Sequence, residues 1–230
     1  MNSIKKTARI AGLLYLITAI TGIFGEYVRS TLIVYGDAAA TASNIMASES
    51  LFRIGFISDL TMITCYFLTA CVLYMLLKPV NKNIALLFVL FTLGSVSVLF
   101  INMLNQFAAL LVLSGAGYLT IFGADQLNAL AMLFLNLHKY GYTISQIFFG
   151  LWLLPLGYLI FKSGYFPRIL GILVMIACFG HLLEFFQVFL FPGYEVIAYP
   201  GLVAAMIGEF SIMFWLLIKG AKIPEMKSEN

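Results

Sequence analysis

Ile84-Ala85-Leu86-Leu87-Phe88-Val89-Leu90-Phe91-Thr92-Leu93-Gly94-Ser95-Val96-Ser97-Val98-Leu99-Phe100 runs for 17 residues without a charge. Apolar and polar side chains do not alternate along it, as they would in a membrane barrel strand. It reads as most of the ~20-residue helix that crosses a bilayer. The rest of the chain has the same character: 62% of the 230 residues are apolar and 10% are charged. A soluble fold of this size has no interior large enough for that fraction. Disorder and nucleic-acid binding are excluded as well, because both need polarity or charge that is missing here. The expected class is all-α, a polytopic bundle of transmembrane helices whose first partner is the lipid bilayer.

The charges set the expected topology. Lys5, Lys6, Arg9, Lys78, Lys82, Lys162, Arg168, Lys219, Lys222 and Lys227 cluster at one set of segment ends, whereas Arg29, Arg53 and Lys139 fall at the other. Ten of the 13 basic residues thus mark a cytoplasmic side. Six spans fit, near residues 7–25, 52–77, 83–106, 142–161, 167–190 and 197–218, with both termini cytoplasmic and Glu225 and Glu229 on that side. A cleaved signal peptide fits poorly, since the small residues Ala38, Ala39 and Ala40 lie beyond Glu26 and Arg29. Cys65, Cys71 and Cys178 sit in apolar segments and read as packing residues.

Inner connections such as Lys78-Pro79-Val80-Asn81-Lys82 are short, and the outer ones are longer. Asp37 is placed to N-cap a short helix ending near Ser48, and Gly123-Ala124-Asp125 opens a second such stretch in the third outer loop. Both are expected to lie at the extracytoplasmic surface. Segments also rhyme along the chain. Arg9-Ile10-Ala11-Gly12-Leu13-Leu14 resembles Arg168-Ile169-Leu170-Gly171-Ile172-Leu173, with Lys82-Asn83-Ile84-Ala85 related to both. Glu26 follows Gly22 as Glu184 follows Gly180. These rhymes are read as three copies of one helical hairpin, against the alternative that membrane helices share a small alphabet.

Arg9-Ile10-Ala11-Gly12-Leu13-Leu14-Tyr15, Gly36-Asp37-Ala38-Ala39-Ala40, Leu51-Phe52-Arg53-Ile54-Gly55, Leu77-Lys78-Pro79-Val80-Asn81, Phe148-Phe149-Gly150, Gly157-Tyr158-Leu159-Ile160 and Pro167-Arg168-Ile169-Leu170-Gly171 carry a resemblance nearly from end to end. The chain resembles the bacterial integral-membrane proteins grouped as domain of unknown function 4386. The resemblance implies a six-helix membrane protein and carries no catalytic residues with it.

Function is therefore sought in polar groups that a bilayer makes costly, at about 2.5 to 3.5 kcal/mol for a charge at mid-helix. At about 1.5 Å of rise per residue, Glu209 lies about 15 Å in from Lys219, His181 about 20 Å in from Arg168, and Glu184 about 24 Å in. Gln146 stands at a similar level, and Asp59, Glu26, Asn102 and Asn105 come nearer the outer boundary. His181, Glu184 and Gln187 form one stripe at spacings of three residues. With Arg29 and Arg53, these groups are expected to line a polar pocket in the outer half, open outward. Four acids against two arginines leave it negative, suited to a small molecule, a cation or a lipid headgroup. Glu209 is expected to meet His181, Glu184 and Asp59, with Arg29 or Arg53 reaching down.

Two alternatives stand beside this binding reading, in which the protein is a transporter or a sensor rather than an enzyme. His181, Glu184 and Glu209 could hold a metal ion with a bound water, although His-x-x-Glu arises often by chance. His138 is placed above the boundary and out of reach of such a site. Alternatively the buried polar groups only neutralise one another and fix helix packing. No cofactor is indicated by the residues.

Overall fold

The computed structural model describes residues 3–222, and among these every regular element is a helix. The charged residues Glu225, Lys227 and Glu229 lie outside the described residues. In a bilayer every backbone N–H and C=O must be satisfied within the segment, which selects helices for runs as apolar as these. The elements are α1 (Ser3–Leu32), α2 (Ala38–Ala47), α3 (Glu49–Leu77), α4 (Lys82–Leu113), α5 (Ala124–Leu151), α6 (Leu153–Ser163), α7 (Arg168–Leu190) and α8 (Tyr199–Ile218). Six helical segments among them are long and apolar enough to cross a membrane, with α5 and α6 counted as one.

Several expected limits move outward. α1 continues to Leu32, α3 begins at Glu49 and α4 continues to Leu113. The largest difference lies in the connection after the third span, where a separate short helix was expected. Residues from Ala124 onward instead belong to the same helix as the fourth span. Lys139 was placed at a segment end, but its Nζ lies over the Tyr35 ring, 4.6 Å from the centroid, and so is accommodated within α5. The break between α5 and α6 falls at Trp152, where Pro155 removes the N–H that would have bonded back to Leu151. In the connection after the first span, Asp37 Oδ1 accepts from Ala40 N at 2.9 Å and so caps α2.

The chain divides into two compact units. The first comprises residues 1–16, 65–96 and 145–230, and the second residues 17–64 and 97–144. Every described basic residue of the larger charge cluster lies in the first unit, whereas Arg29, Arg53 and Lys139 lie in the second. The charge partition in the sequence therefore coincides with a partition in three dimensions.

In the first unit, α7 packs between α6 and α8. Glycines permit this: a methyl at Gly157 would lie 2.6 Å from Gly171 O, and one at Gly208 would lie 2.5 Å from Leu173 O. Gly12 of α1 meets the backbone of α8 at Leu217 in the same manner, and Arg9 Nη2 donates to Ile218 O at 3.2 Å. The start of α1 and the end of α8 are thus neighbours. The core here is aromatic, with Trp152 fully buried among Tyr15, Tyr66, Phe88 and Phe149.

In the second unit, α2 closes an apolar cluster of Val28, Ile45, Phe52, Leu110, Ala131 and Leu135. Facing outward along the spans are residues such as Ile23, Ile101 and Leu104, each more than 60% exposed. Asp59, Asn102, Gln106, His138, Gln146 and His181 are buried. Large apolar side chains outside and polar ones inside is the distribution that a lipid surrounding demands.

Candidate functional site

The first unit holds a polar centre built on Glu209. Glu209 of α8 accepts from the Tyr15 hydroxyl through Oε2 at 2.5 Å, and its Oε1 lies 2.7 Å from His181 Nε2. Tyr15 comes from α1 and His181 from α7, so one carboxylate ties three helices together. A carboxylate is an acceptor only; with Glu209 ionised and the imidazole neutral, Nε2 carries the hydrogen and Nδ1 presents a bare lone pair. That Nδ1 is buried and has no hydrogen-bond partner among the described residues. The imidazole stands edge-on to Phe149, 4.9 Å between centroids, and Phe149 in turn packs on Tyr66 and Trp152. Trp152 Nε1 is also buried without a partner among the described residues. The centre is an acid–imidazole pair inside an aromatic wall.

Of the neighbours expected for Glu209, His181 is its partner, and the helix spacing that placed them at similar depth accounts for the meeting. Glu184 pairs with Gln146, whose Nε2 donates to Glu184 Oε2 at 3.4 Å, also within the first unit. Gln187 lies one turn above Glu184 on α7 and donates from Nε2 to Phe191 O at 3.2 Å, closing the end of α7. Among the described residues, no group of three or more His, Cys, Asp or Glu side chains is arranged to hold a metal ion.

The second unit holds a different set. Arg29 bonds both Asp59 and Glu26, the latter at 3.0 Å. Asp59 is almost fully buried, whereas the Glu26 side chain is 70% exposed. Space for the Asp59 carboxylate comes from Gly25, where any Cβ would strike it. Arg53, offered beside Arg29 as the cation reaching down, pairs with Glu49 at 2.7 Å on an exposed face of α3. These two are four residues apart on one helix, so the local partner is reached first. Asn105 donates to Asn102 Oδ1 at 3.1 Å, and Asn102 Nδ2 donates to His138 O at 2.8 Å. His138 is thus buried against α4, on the unbroken α5. Gly141 gives Asn102 its room as Gly25 gives room to Asp59.

Sequence reasoning missed Tyr15, Gln106 and the Asn102–His138 pairing. For Tyr15 a signal existed: it stands six residues past Arg9, about 9 Å into an apolar run, too deep for an interfacial tyrosine. Gly25 and Gly141, each at the level of a buried polar side chain on a neighbouring helix, were the other legible sign.

A model of the family described as "Domain of unknown function (DUF4386)" matches residues 10–220. The chain belongs to the DUF4386 family. An uncharacterised protein of Archaeoglobus fulgidus is 35% identical over 159 residues, covering 69% of this chain and 79% of that protein. No solved structure matches. This DUF4386 protein is a membrane protein, and its family supplies no activity to assign to the Tyr15–Glu209–His181 centre.

Proposed function

We propose that this DUF4386 protein is a membrane-embedded binding protein, of transporter or sensor type, whose ligand engages His181. The observation that carries the reading is the buried, unpartnered Nδ1 of an imidazole whose other nitrogen is held by Glu209. An unsatisfied acceptor in a membrane interior is costly, and a ligand bearing an O–H or N–H donor removes that cost. Glu209 and Tyr15 fix the imidazole's tautomer and orientation, as an outer partner does for a working histidine. In this reading the spans run with their basic ends in the cytoplasm, both termini inside and α2 on the outer face. Glu184, Gln146 and Gln187 extend the polar stripe on α7 beyond His181. Arg29, Asp59 and Glu26, with Arg53 and Asn105 at their edges, make up the polar part of the second unit. A catalytic metal at His181, Glu184 and Glu209 gains no support, since Glu184 is engaged with Gln146.

The test is mass spectrometry of the small molecules and lipids that remain with full-length protein after detergent purification. A species retained by wild type and lost from both His181→Phe and Glu209→Gln, with all three proteins monodisperse, supports binding at this centre. Identical small-molecule content in the three proteins would leave only the structural role of the pair.

A further inference from the structure

Where α8 ends, the first unit gathers cations from three stretches of the chain. α8 stops at Ile218, and Gly220 takes a left-handed turn, φ 68°, with its N–H returned to Trp215 O at 2.9 Å. Ala221 is then buried, and Lys222 N donates to Tyr165 O at 2.9 Å, which ties the chain after α8 to the connection between α6 and α7. A methyl at Gly220 would lie 2.9 Å from Lys5 Cγ and 3.8 Å from Arg9 Cγ, and Arg9 Nη2 donates to Ile218 O at 3.2 Å. The first turns of α1 therefore close on the same place. Lys5 and Arg9, Lys219 and Lys222, and Lys162 and Arg168 on either side of Tyr165 are brought together, all in the first unit. Orientation by the positive-inside rule needs only that cations flank each span. It does not need three connections to converge, nor to be free of acids. Residues 3–16, 153–175 and 210–222 contain no Asp or Glu. Counting Glu225 and Glu229 against them still leaves the seven basic residues of these stretches in excess.

We propose that Lys5, Arg9, Lys219 and Lys222, with Arg168 beside them, hold the phosphate of an anionic glycerophospholipid. Ammonium and guanidinium groups supply donors only, and the unesterified oxygens of a phosphate diester accept them. Lys5, Arg168, Lys219 and Lys222 are exposed and so within reach of a headgroup, whereas Arg9 is half-buried and fixed to the end of α8. The neighbours of these cations select a lipid over a soluble anion. Ile10, Ile169 and Ile218, next in sequence to Arg9, Arg168 and Lys219, are large apolar residues left exposed. In a bilayer such side chains meet acyl chains, which puts the adjoining cations at the level of the phosphates. A phosphate without acyl chains has nothing to lay against these isoleucines.

This site is independent of the His181 centre, and the failure of either leaves the other standing. Its test is native mass spectrometry of the full-length protein, released from detergent after titration with phosphatidylglycerol or with phosphatidylcholine of the same acyl chains. Wild type is expected to bind phosphatidylglycerol about tenfold more tightly. Lys5→Gln/Lys219→Gln/Lys222→Gln alters exposed side chains only and should lose that preference, with Lys219→Gln/Lys222→Gln in its place if the triple variant is not monodisperse. Lys78→Gln/Lys82→Gln removes two charges from the connection between α3 and α4 and should keep it. Glycerol 3-phosphate at the lipid's concentration should displace nothing; displacement would move the site to soluble phosphate esters and overturn the lipid assignment. Equal binding of the two lipids by wild type would overturn the proposal. So would an equal loss of preference in the Lys78→Gln/Lys82→Gln variant, because the convergence at the end of α8 would then count for nothing.

Discussion

Replacing Glu209 by leucine removes the acceptor that joins three helices. The change strands two buried donors, the Tyr15 hydroxyl and His181 Nε2, which now lie 2.5 and 2.7 Å from the carboxylate. Each stranded polar group costs about 1 to 3 kcal/mol, so the pair costs about 4 kcal/mol, offset in part by the charge no longer buried. Glu209→Gln keeps the shape and one acceptor while converting charge-assisted bonds to neutral ones, at about 1 kcal/mol each and about 2 kcal/mol in all. For a chain of this size 1 kcal/mol moves the melting temperature by about 2 to 4 °C. Glu209→Gln should therefore melt about 4 to 8 °C below wild type, and Glu209→Leu about 8 to 16 °C below. Thermal unfolding in one detergent, followed by circular dichroism, gives the order. A leucine variant as stable as wild type would refute the reasoning, because the carboxylate would then hold nothing together.

Three further outcomes follow from other parts of the molecule. Gly157→Leu forces a side chain into Gly171 O, Met175 and the α7 backbone, and should destabilise the protein by about 3 kcal/mol or more, read as reduced monodisperse yield and a lower melting temperature. Tyr35, in the loop after α1, has its phenol pushed above the usual tyrosine range, first by burial and then by Glu26, with Arg29 acting the other way. In alkaline difference spectra of wild type minus Tyr35→Phe, this tyrosine should ionise only above about pH 10, and Arg29→Ala should raise its midpoint further. Cysteines placed at Asn81 and Ser163 should resist a membrane-impermeant reagent in intact cells, whereas those at Ala39, Ser114 and Gly193 should react; outside labelling of residue 163 would reverse the proposed orientation.

The spans were legible because lipid imposes a single requirement, apolar length, that composition records directly. Their ends were less so. Lys139 and Gly141 look like a boundary, yet a ring of Tyr35 takes the cation and an Asn102 side chain fills the space over the glycine. Depth counted from Lys219 and Arg168 brought Glu209 and His181 to comparable levels, and they meet. The third member, Tyr15, was hidden because tyrosine commonly marks interfaces, and a hydrogen bond spanning 194 residues leaves no local pattern. Of the two arginines offered, Arg29 reaches Asp59, while Arg53 has a near partner, Glu49, on its own helix. Gln106 was read as the end of a span, and only the longer α4 places its amide inside.

The histidine side-chain nitrogens test the central claim most directly. The chain has two histidines, His138 and His181, so ¹⁵N spectra of histidine-labelled protein are assigned with a single variant. The neutral imidazole of His181 should carry its hydrogen on Nε2 with Nδ1 unprotonated. The Nε2 resonance should shift in Glu209→Gln, and Nδ1 should move when the retained ligand is stripped. A hydrogen on Nδ1, or spectra of His181 indifferent to both Glu209→Gln and removal of bound molecules, would contradict the account.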